Sequence, residues 1–230
     1  MSNMYERTLA LIGEEKLNKI KNACICVFGL GGVGSFVVES LARAGVGKLI
    51  TVDSARVDIT NLNRQIIALH STIGMPKTEV ISNRMLDINP SLNIISHQVF
   101  ADETNIDGIL DNEKIDYIID AIDSVNSKIA IITYAAKHNI NIISSMGTGN
   151  KLHPEKFEIC DISKTSVCPL ARKVRKLLQQ TEVKKLDVLY SKELPAKHDK
   201  ELLVPASISF VPSVAGLMIS GYVINKIIEI

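Results

Sequence analysis

A formal net charge of +1 leaves no global pull toward nucleic acid or any other polyanion, so a site for one must be a local patch. The four cysteines, Cys24, Cys26, Cys160 and Cys168, form no CxxC pair, which argues against a structural zinc site. There is no internal repeat and no low-complexity linker, so residues 1–230 are expected to form one domain. The first residues carry the charges of Glu6, Arg7, Glu14 and Glu15 in place of an apolar stretch, so no secretory leader is expected. Unpaired thiols and no export signal fit a reducing cytoplasm. Charge is absent from residues 202–225, a run long enough to raise a membrane span. Pro205, Pro212, Gly216, Gly221 and several Ser and Tyr residues interrupt it. It is expected to form a buried strand, a turn at Pro212 and a core helix, with membrane contact disfavoured.

What is present is ordinary for a globular protein: 46% hydrophobic and 22% charged residues. Residues 5–22 place Leu9, Ile12, Leu17 and Ile20 at helical spacing and predict one amphipathic helix. Strands are predicted at 23–28, 48–53, 92–98, 117–120 and 141–145. Helices are predicted between them at 33–44, 77–89, near 105–112 and at 124–138. The strands are almost wholly apolar, as in a parallel sheet covered on both faces. Right-handed crossovers then build an α/β, doubly wound, mainly parallel sheet. Later strands at 157–161 and 188–191, with a basic helix at 169–180 between them, read as a C-terminal extension of the same sheet. The resulting plan is an N-terminal helix over 1–22, a nucleotide-binding core over 23–150 and an extension over 151–230. Residues 192–201 read as a polar, mobile stretch.

The segment VFGLGGVGS joins the first strand to the next helix. Gly29, Gly31 and Gly34 match G-x-G-x-x-G, with Gly32 in the same loop. These residue types allow a tight turn, close approach to phosphate, and close packing of helix on strand. Asp53 ends the second strand, placed to accept from a ribose hydroxyl. Taken alone this fits an NAD-binding domain, although the motif says little about which nucleotide is held. The following DITNLNRQ favours ATP. Asn61, Asn63, Arg64 and Gln65 form a cluster of donors that a hydride-transfer site does not need, and that charge developing on an α-phosphate does. Arg64 can fork onto phosphate oxygens. Lys77, at a helix start, is a second cation. Asp120 and Asp123 fall where the fourth strand ends. Asp123 is the better ligand for the Mg²⁺ that accompanies ATP, while Asp120 either shares that role or caps the next helix.

Together these segments resemble the ubiquitin-activating-type adenylating enzymes, the group that includes the activators of molybdopterin and thiamine sulfur carriers. Three longer stretches are similar to the tRNA threonylcarbamoyladenosine dehydratases: SSMGTGNKLHPEKFEICDISKTSVCPLARKVR, YSKELP and ASISFVPSVAGLMISGYVI. The resemblance covers nearly the whole chain. It implies adenylation of the threonine carboxylate of the modified adenosine, followed by intramolecular ring closure that expels AMP. By the same match, the glycine loop, Asn61 and Arg64 hold phosphates, Asp53 the ribose, Lys77 the triphosphate and Asp123 the Mg²⁺. Arg7, in Tyr5-Glu6-Arg7, resembles an arginine that enters the neighbouring subunit's ATP site, which implies a homodimer. A sulfur-mobilising partner protein is left open.

No protein nucleophile is required when the attacking group lies in the same molecule as the activated carboxylate. Cys168 is read as the one cysteine in an accessible loop, either a nucleophile or an ordinary thiol. ARKVRKLLQQTEVKK groups Arg172, Lys173, Arg175, Lys176, Lys184 and Lys185 against a single acid, Glu182. This stretch is the candidate tRNA contact, with Arg172, Arg175 and Lys176 on one helix face. Residues 192–200 are the alternative. The competing readings are an activator of a small sulfur-carrier protein, a nucleotide-binding module without turnover, and a dehydrogenase. The absent CxxC pairs weigh against the first, and Arg64, Lys77 and Asp123 together weigh against the other two.

Overall fold

Apolar strand-length runs alternating with helices require crossover connections, and the computed structural model of the chain has them. It describes residues 4–110, 113–196 and 205–229. Two short helices, α1 (Glu6–Ile12) and α2 (Glu14–Asn22), precede the sheet. There follow β1 (Cys24–Phe28), α3 (Gly34–Ala44), β2 (Lys48–Val52), α4 (Lys77–Ile88) and β3 (Asn93–His97). Next come α5 (Ile106–Leu110), β4 (Tyr117–Asp120), α6 (Val125–Lys137) and β5 (Asn141–Ser145). The chain continues with β6 (Phe157–Asp161), α7 (Pro169–Leu178), β7 (Asp187–Ser191) and α8 (Phe210–Ile227).

The sheet has seven strands in the order β3-β2-β1-β4-β5-β7-β6. All neighbours are parallel except β6 and β7. The expected doubly wound α/β fold and the extension of its sheet are therefore both present. Successive residues of β1 face opposite layers. Ile25 and Val27 pack with Val37 and Leu41 of α3 and Ala215 and Ile219 of α8. Cys24, Cys26 and Phe28 pack with Ile131 and Ala135 of α6. A third cluster, around Val174 of α7 and Val188 of β7, extends the core under the C-terminal region. Burial pushes the Cys24 thiol up to about 11 and also pushes the Cys26 thiol well above its ordinary range, so both are core hydrophobes without thiolate chemistry.

Four expectations need correction. The N-terminal helix is two, because Gly13 takes φ +82° and ends α1. Helical periodicity ran straight across it, but a left-handed φ cannot sit inside a helix. Pro212 makes no turn. It is the third residue of α8, where first-turn N–H groups have no helical partner to lose. Residues 205–209 form no strand, and residues 202–204 and 197–201 lie outside those described. Among the described residues α8 alone is long and apolar enough to cross a membrane. Val211, Ala215, Ile219 and Val223 face the core, and Gly216 lies so close to α3 that a Cβ would come within 2.5 Å of the Val33 carbonyl oxygen. The remaining correction concerns the basic stretch. α7 is about 15 Å long at 1.5 Å per residue. Because β7 runs parallel to β5, Lys184 and Lys185 emerge at the amino edge of the sheet, away from Arg172.

β1 leads outward to β2 and β3 on one side, and β4 lies on its other side. The strand order thus reverses between β1 and β4, and their carboxyl ends open a crevice where such sheets bind ligands.

Candidate functional site

The turn after β1 sets the floor of that crevice. Gly29 has φ +87°, and a Cβ there would lie 2.6 Å from the Ala121 carbonyl oxygen in the turn after β4. A Cβ on Gly34 would overlap the Gly29 carbonyl oxygen. Only glycine permits the two strand-end turns to touch and α3 to start directly beneath them. At Gly31 the nearest neighbour of a Cβ is Gln65 Nε2, 3.9 Å away, so the backbone is open to a ligand. Gly32 faces Pro212 of α8 and the Arg64 stem.

A cleft of about 340 Å³ opens above this floor. Gly29, Gly31, Gly32, Asp53, Asn61, Arg64, Gln65, Lys77 and Asp123 all line it. Gly34 is buried beneath as the first residue of α3, and does not line the cleft. Asp53 is held rigidly: its Oδ2 accepts the Leu30 N–H at 2.6 Å and its Oδ1 the Ala55 N–H at 2.7 Å. Its remaining lone pairs suit hydroxyl donors. A 3₁₀ turn at residues 59–61 carries Asn61. The Asn61 Oδ1 accepts the Asp58 N–H in a capping box, which leaves its amide group to donate into the cleft. The Thr60 hydroxyl and N–H hold the Asp58 carboxyl below its usual range and lock the turn. Arg64 is aimed by hydrogen bonds from Nη1 to the Thr60 carbonyl and Asn63 Oδ1, both 2.9 Å, leaving the rest of its guanidinium to donate.

Lys77 begins α4 and is only 8% exposed. Among the described residues it has no ion pair and no side-chain hydrogen bond. A buried ammonium is costly unless an anion meets it, so its place in the cleft implies an anionic ligand. Gln65, also buried, leaves its Oε1 without a partner among the described residues at the same wall. Asp123 is exposed in the loop after β4 and makes no ion pair among the described residues. No cluster of three or more potential metal ligands occurs among the described residues. A single free carboxylate suits Mg²⁺ carried in by phosphates, which keeps most of its ligands from substrate and water.

Asp120 has neither of its two expected roles. It is wholly buried, with Oδ2 receiving Lys128 Nζ at 2.8 Å and the Ser144 hydroxyl at 2.5 Å. Its Oδ1 accepts the Ile122 N–H at 3.1 Å, while Ser124 caps α6. Cys168 is not in an accessible loop. It is 5% exposed and caps α7, its Sγ accepting the Ala171 N–H at 3.5 Å. Arg175 is not free on its helix face either. Its Nη1 donates to the Ile162 and Thr165 carbonyls and the Thr165 hydroxyl, which ties the half-buried side chain to the segment before α7. Arg7 is exposed on α1 and lies outside the cleft of its own chain.

Several cleft residues escaped the sequence reading. Val52, Phe100, Ala101 and Ile122 supply apolar walls, and Thr148, Ser207 and Pro212 close the far side. Phe100 and Thr148 follow β3 and β5 at the carboxyl edge, so their topological position was available as a signal. Ser207 arrives from the C-terminal region and carried none. The arrangement offers an apolar slot, an anchored carboxylate, a glycine cradle and two cations in sequence, which suits a purine, ribose and polyphosphate in that order.

Comparison with known proteins agrees. The family model for the ThiF family matches residues 5–230. The tRNA threonylcarbamoyladenosine dehydratase of Bacillus subtilis (strain 168) is 41% identical over 245 residues, covering 100% of this chain and 96% of that protein. The crystal structure of the E. coli tRNA N6-threonylcarbamoyladenosine dehydratase in complex with ATP superposes with a TM-score of 0.91 at 31% identity, covering 98% of this chain and 94% of that one. The same enzyme in complex with AMP gives a TM-score of 0.90 at 32% identity, with coverage of 97% and 93%. A cleft built for a nucleoside polyphosphate and a match over nearly the whole length lead to one statement: the chain belongs to the ThiF family.

Proposed function

We propose that this protein is an ATP-dependent tRNA threonylcarbamoyladenosine dehydratase. The observation that carries the reading is Lys77, a buried side chain with no carboxylate partner among the described residues, set beside Arg64 over a glycine cradle. Its near full-length likeness to dehydratases, one of them solved with ATP and with AMP, supports the substrate.

The threonine carboxylate of the modified adenosine attacks the α-phosphorus of ATP, and the bond to pyrophosphate breaks. Arg64, Lys77 and the Asn61 amide face the charge that accumulates on the phosphates. A nucleophilic atom of the same modified base then attacks the activated carbonyl, and AMP leaves with the oxygen that was the carboxylate's. The net change is loss of water from the base at the expense of ATP. Both reacting groups are in one molecule, so orientation replaces a protein nucleophile. This agrees with a Cys168 that is sequestered as a helix cap. Asp123 would hold Mg²⁺, which neutralises phosphate charge when bound.

The working unit in this reading is a homodimer. α1 contributes no buried residue, and Met4, Leu9 and Leu11 on and beside it are 51%, 39% and 84% exposed. Such a face fits burial against a second copy. Arg7 on the same helix then reaches the partner's phosphates. The tRNA lies along α7, where Arg172, Lys173 and Lys176 are exposed. We place the enzyme in the cytoplasm, with α8 in the core. The test is AMP formation from ATP by the purified protein. Dependence on tRNA carrying the modified adenosine supports the reading. Dependence on a small carrier protein overturns it in favour of a sulfur-carrier activator.

A further inference from the structure

α7 starts beside the cleft. Its cap, Cys168, has Sγ 4.0 Å from where Gly147 would carry a Cβ, and the next residue, Thr148, lines the cleft. From there Arg172, Lys173 and Lys176 mark its exposed side down to the amino edge of the sheet. At that edge lies a second cavity, of about 760 Å³, lined by Lys19, Lys114, Lys185 and Lys226. Lys114, Lys185 and Lys226 are exposed, and none makes an ion pair among the described residues. Lys19 meets Glu15 and Glu229 only at 3.7 and 3.6 Å. Two acids share the cavity, and each already has a donor. Asp116 Oδ2 accepts the Cys24 N–H at 2.8 Å, and Asp187 Oδ2 accepts the Tyr222 hydroxyl at 2.6 Å.

The chain's net charge is only +1, so lysines without ion pairs around one cavity are a local concentration of charge. They come from α8 and the segments entering β4 and β7, with the ion-paired Lys19 of α2 beside them. A set spread over separate elements fits successive charges of an extended polyanion better than one compact phosphate. We infer that α7 and the amino-edge cavity form a continuous track for the sugar-phosphate backbone of the substrate RNA, gripping it at a distance from the reacting base. Strands of five residues at about 3.3 Å each separate the two edges by about 17 Å, short against a folded RNA. Phosphate contacts of this kind position the nucleic acid without reading its sequence. The inference rests on the dehydratase reading and adds to it where the RNA lies.

The test uses the full-length protein and tRNA carrying the modified adenosine, with affinity measured across salt concentrations. In Lys114→Glu/Lys185→Glu/Lys226→Glu, tRNA affinity should fall at least tenfold at low salt. The log–log salt slope should flatten by about 0.7–0.9 for each phosphate that the variant no longer neutralises. ATP affinity, measured separately, should not move. The glutamine version of the same triple serves if charge reversal disturbs folding, with a smaller loss in the same direction. An unchanged affinity and slope in a folded triple, while wild type still makes AMP only with tRNA, overturns the track and spares the dehydratase reading. Inorganic pyrophosphate is the second probe. If it binds this cavity in micromolar amounts and displaces tRNA, the site belongs to a small anion and the inference is overturned. Wild type that makes AMP without any RNA fails the underlying reading instead.

Discussion

Lys77 and Arg64 line the cleft and have no ion pair among the described residues, so their loss should appear as lost transition-state stabilisation. Lys77→Ala or Arg64→Ala should each lower tRNA-dependent AMP formation by about 10²–10³, the size of a single electrostatic stabiliser. Pyrophosphate release by either variant near the wild-type rate would refute the assignment. Asp123→Asn should raise the Mg²⁺ concentration needed for half-maximal turnover, with ATP affinity at saturating metal little changed. Lys128 matters for a different reason. It is wholly buried against Asp120, which in turn pins the Ile122 N–H at the wall of the cleft. Lys128→Met leaves a buried carboxylate uncompensated and should destabilise the fold by about 3–5 kcal/mol in denaturant titration. Adding Asp120→Asn should recover much of that, because the amide oxygen can still accept from Ile122. The glycine loop, Asp53 and the Asn61–Gln65 cluster were legible because each is a short local pattern with a known task. The Lys128–Asp120–Ser144 triad was not, because its members come from α6, β4 and β5 and only the folded sheet brings them together. Cys168 was misread for a related reason. The helix start at Pro169 was expected, but a residue just before a helix reads as loop, and only the packing of α7 buries the cysteine as its cap.

Helix-to-helix packing carries two further consequences. Glu39 of α3 is salt-bridged to Arg84 of α4 at 2.6 Å and to Arg43 at 2.7 Å. Burial works to raise its carboxyl, but the hydrogen bonds and charges of Arg84 and Arg43 outweigh that and hold it below its ordinary 4.5. A carboxyl depressed in the folded state stabilises above its unfolded pKa, and the contribution is lost as pH falls through the folded value. Glu39→Gln should therefore lower stability near neutral pH and narrow its gap to wild type below about pH 4. Thermal melts at several pH values read this directly, and a gap that does not change with pH would refute it. On α8, Gly216→Val would drive a branched side chain into the Val33 carbonyl and Phe36. The expected cost is about 1–3 kcal/mol as overpacking, with ATP affinity also weakened because Val33 and Pro212 line the cleft. β4 and β5 fell where the apolar runs placed them, since a buried parallel strand is written in contiguous residues. α8 was harder to read, because its Pro212 looks like a terminator until one sees that it occupies the first turn.

At the scale of the whole molecule, the homodimer reading predicts complementation. An Arg7→Ala protein mixed with an Arg64→Ala protein should regain part of the lost activity. Each mixed dimer then has one site with an intact cleft from one chain and an intact Arg7 from the other. Subunit exchange without recovered activity would place Arg7 in its own chain or outside the site. The order β5-β7-β6 has a consequence for synthesis itself. β6 leaves the ribosome before β7, yet its sheet partner is β7, which must first take its place beside β5. Until about residue 191 has emerged, β5 is an open edge and residues 157–161 have nowhere to dock. An uncapped edge of Ile142, Ile143 and their neighbours invites pairing with another nascent chain. The nucleotide half can assemble early, but the sheet closes last, and a ribosome stalled between β6 and β7 would hold a chain that is primed to aggregate.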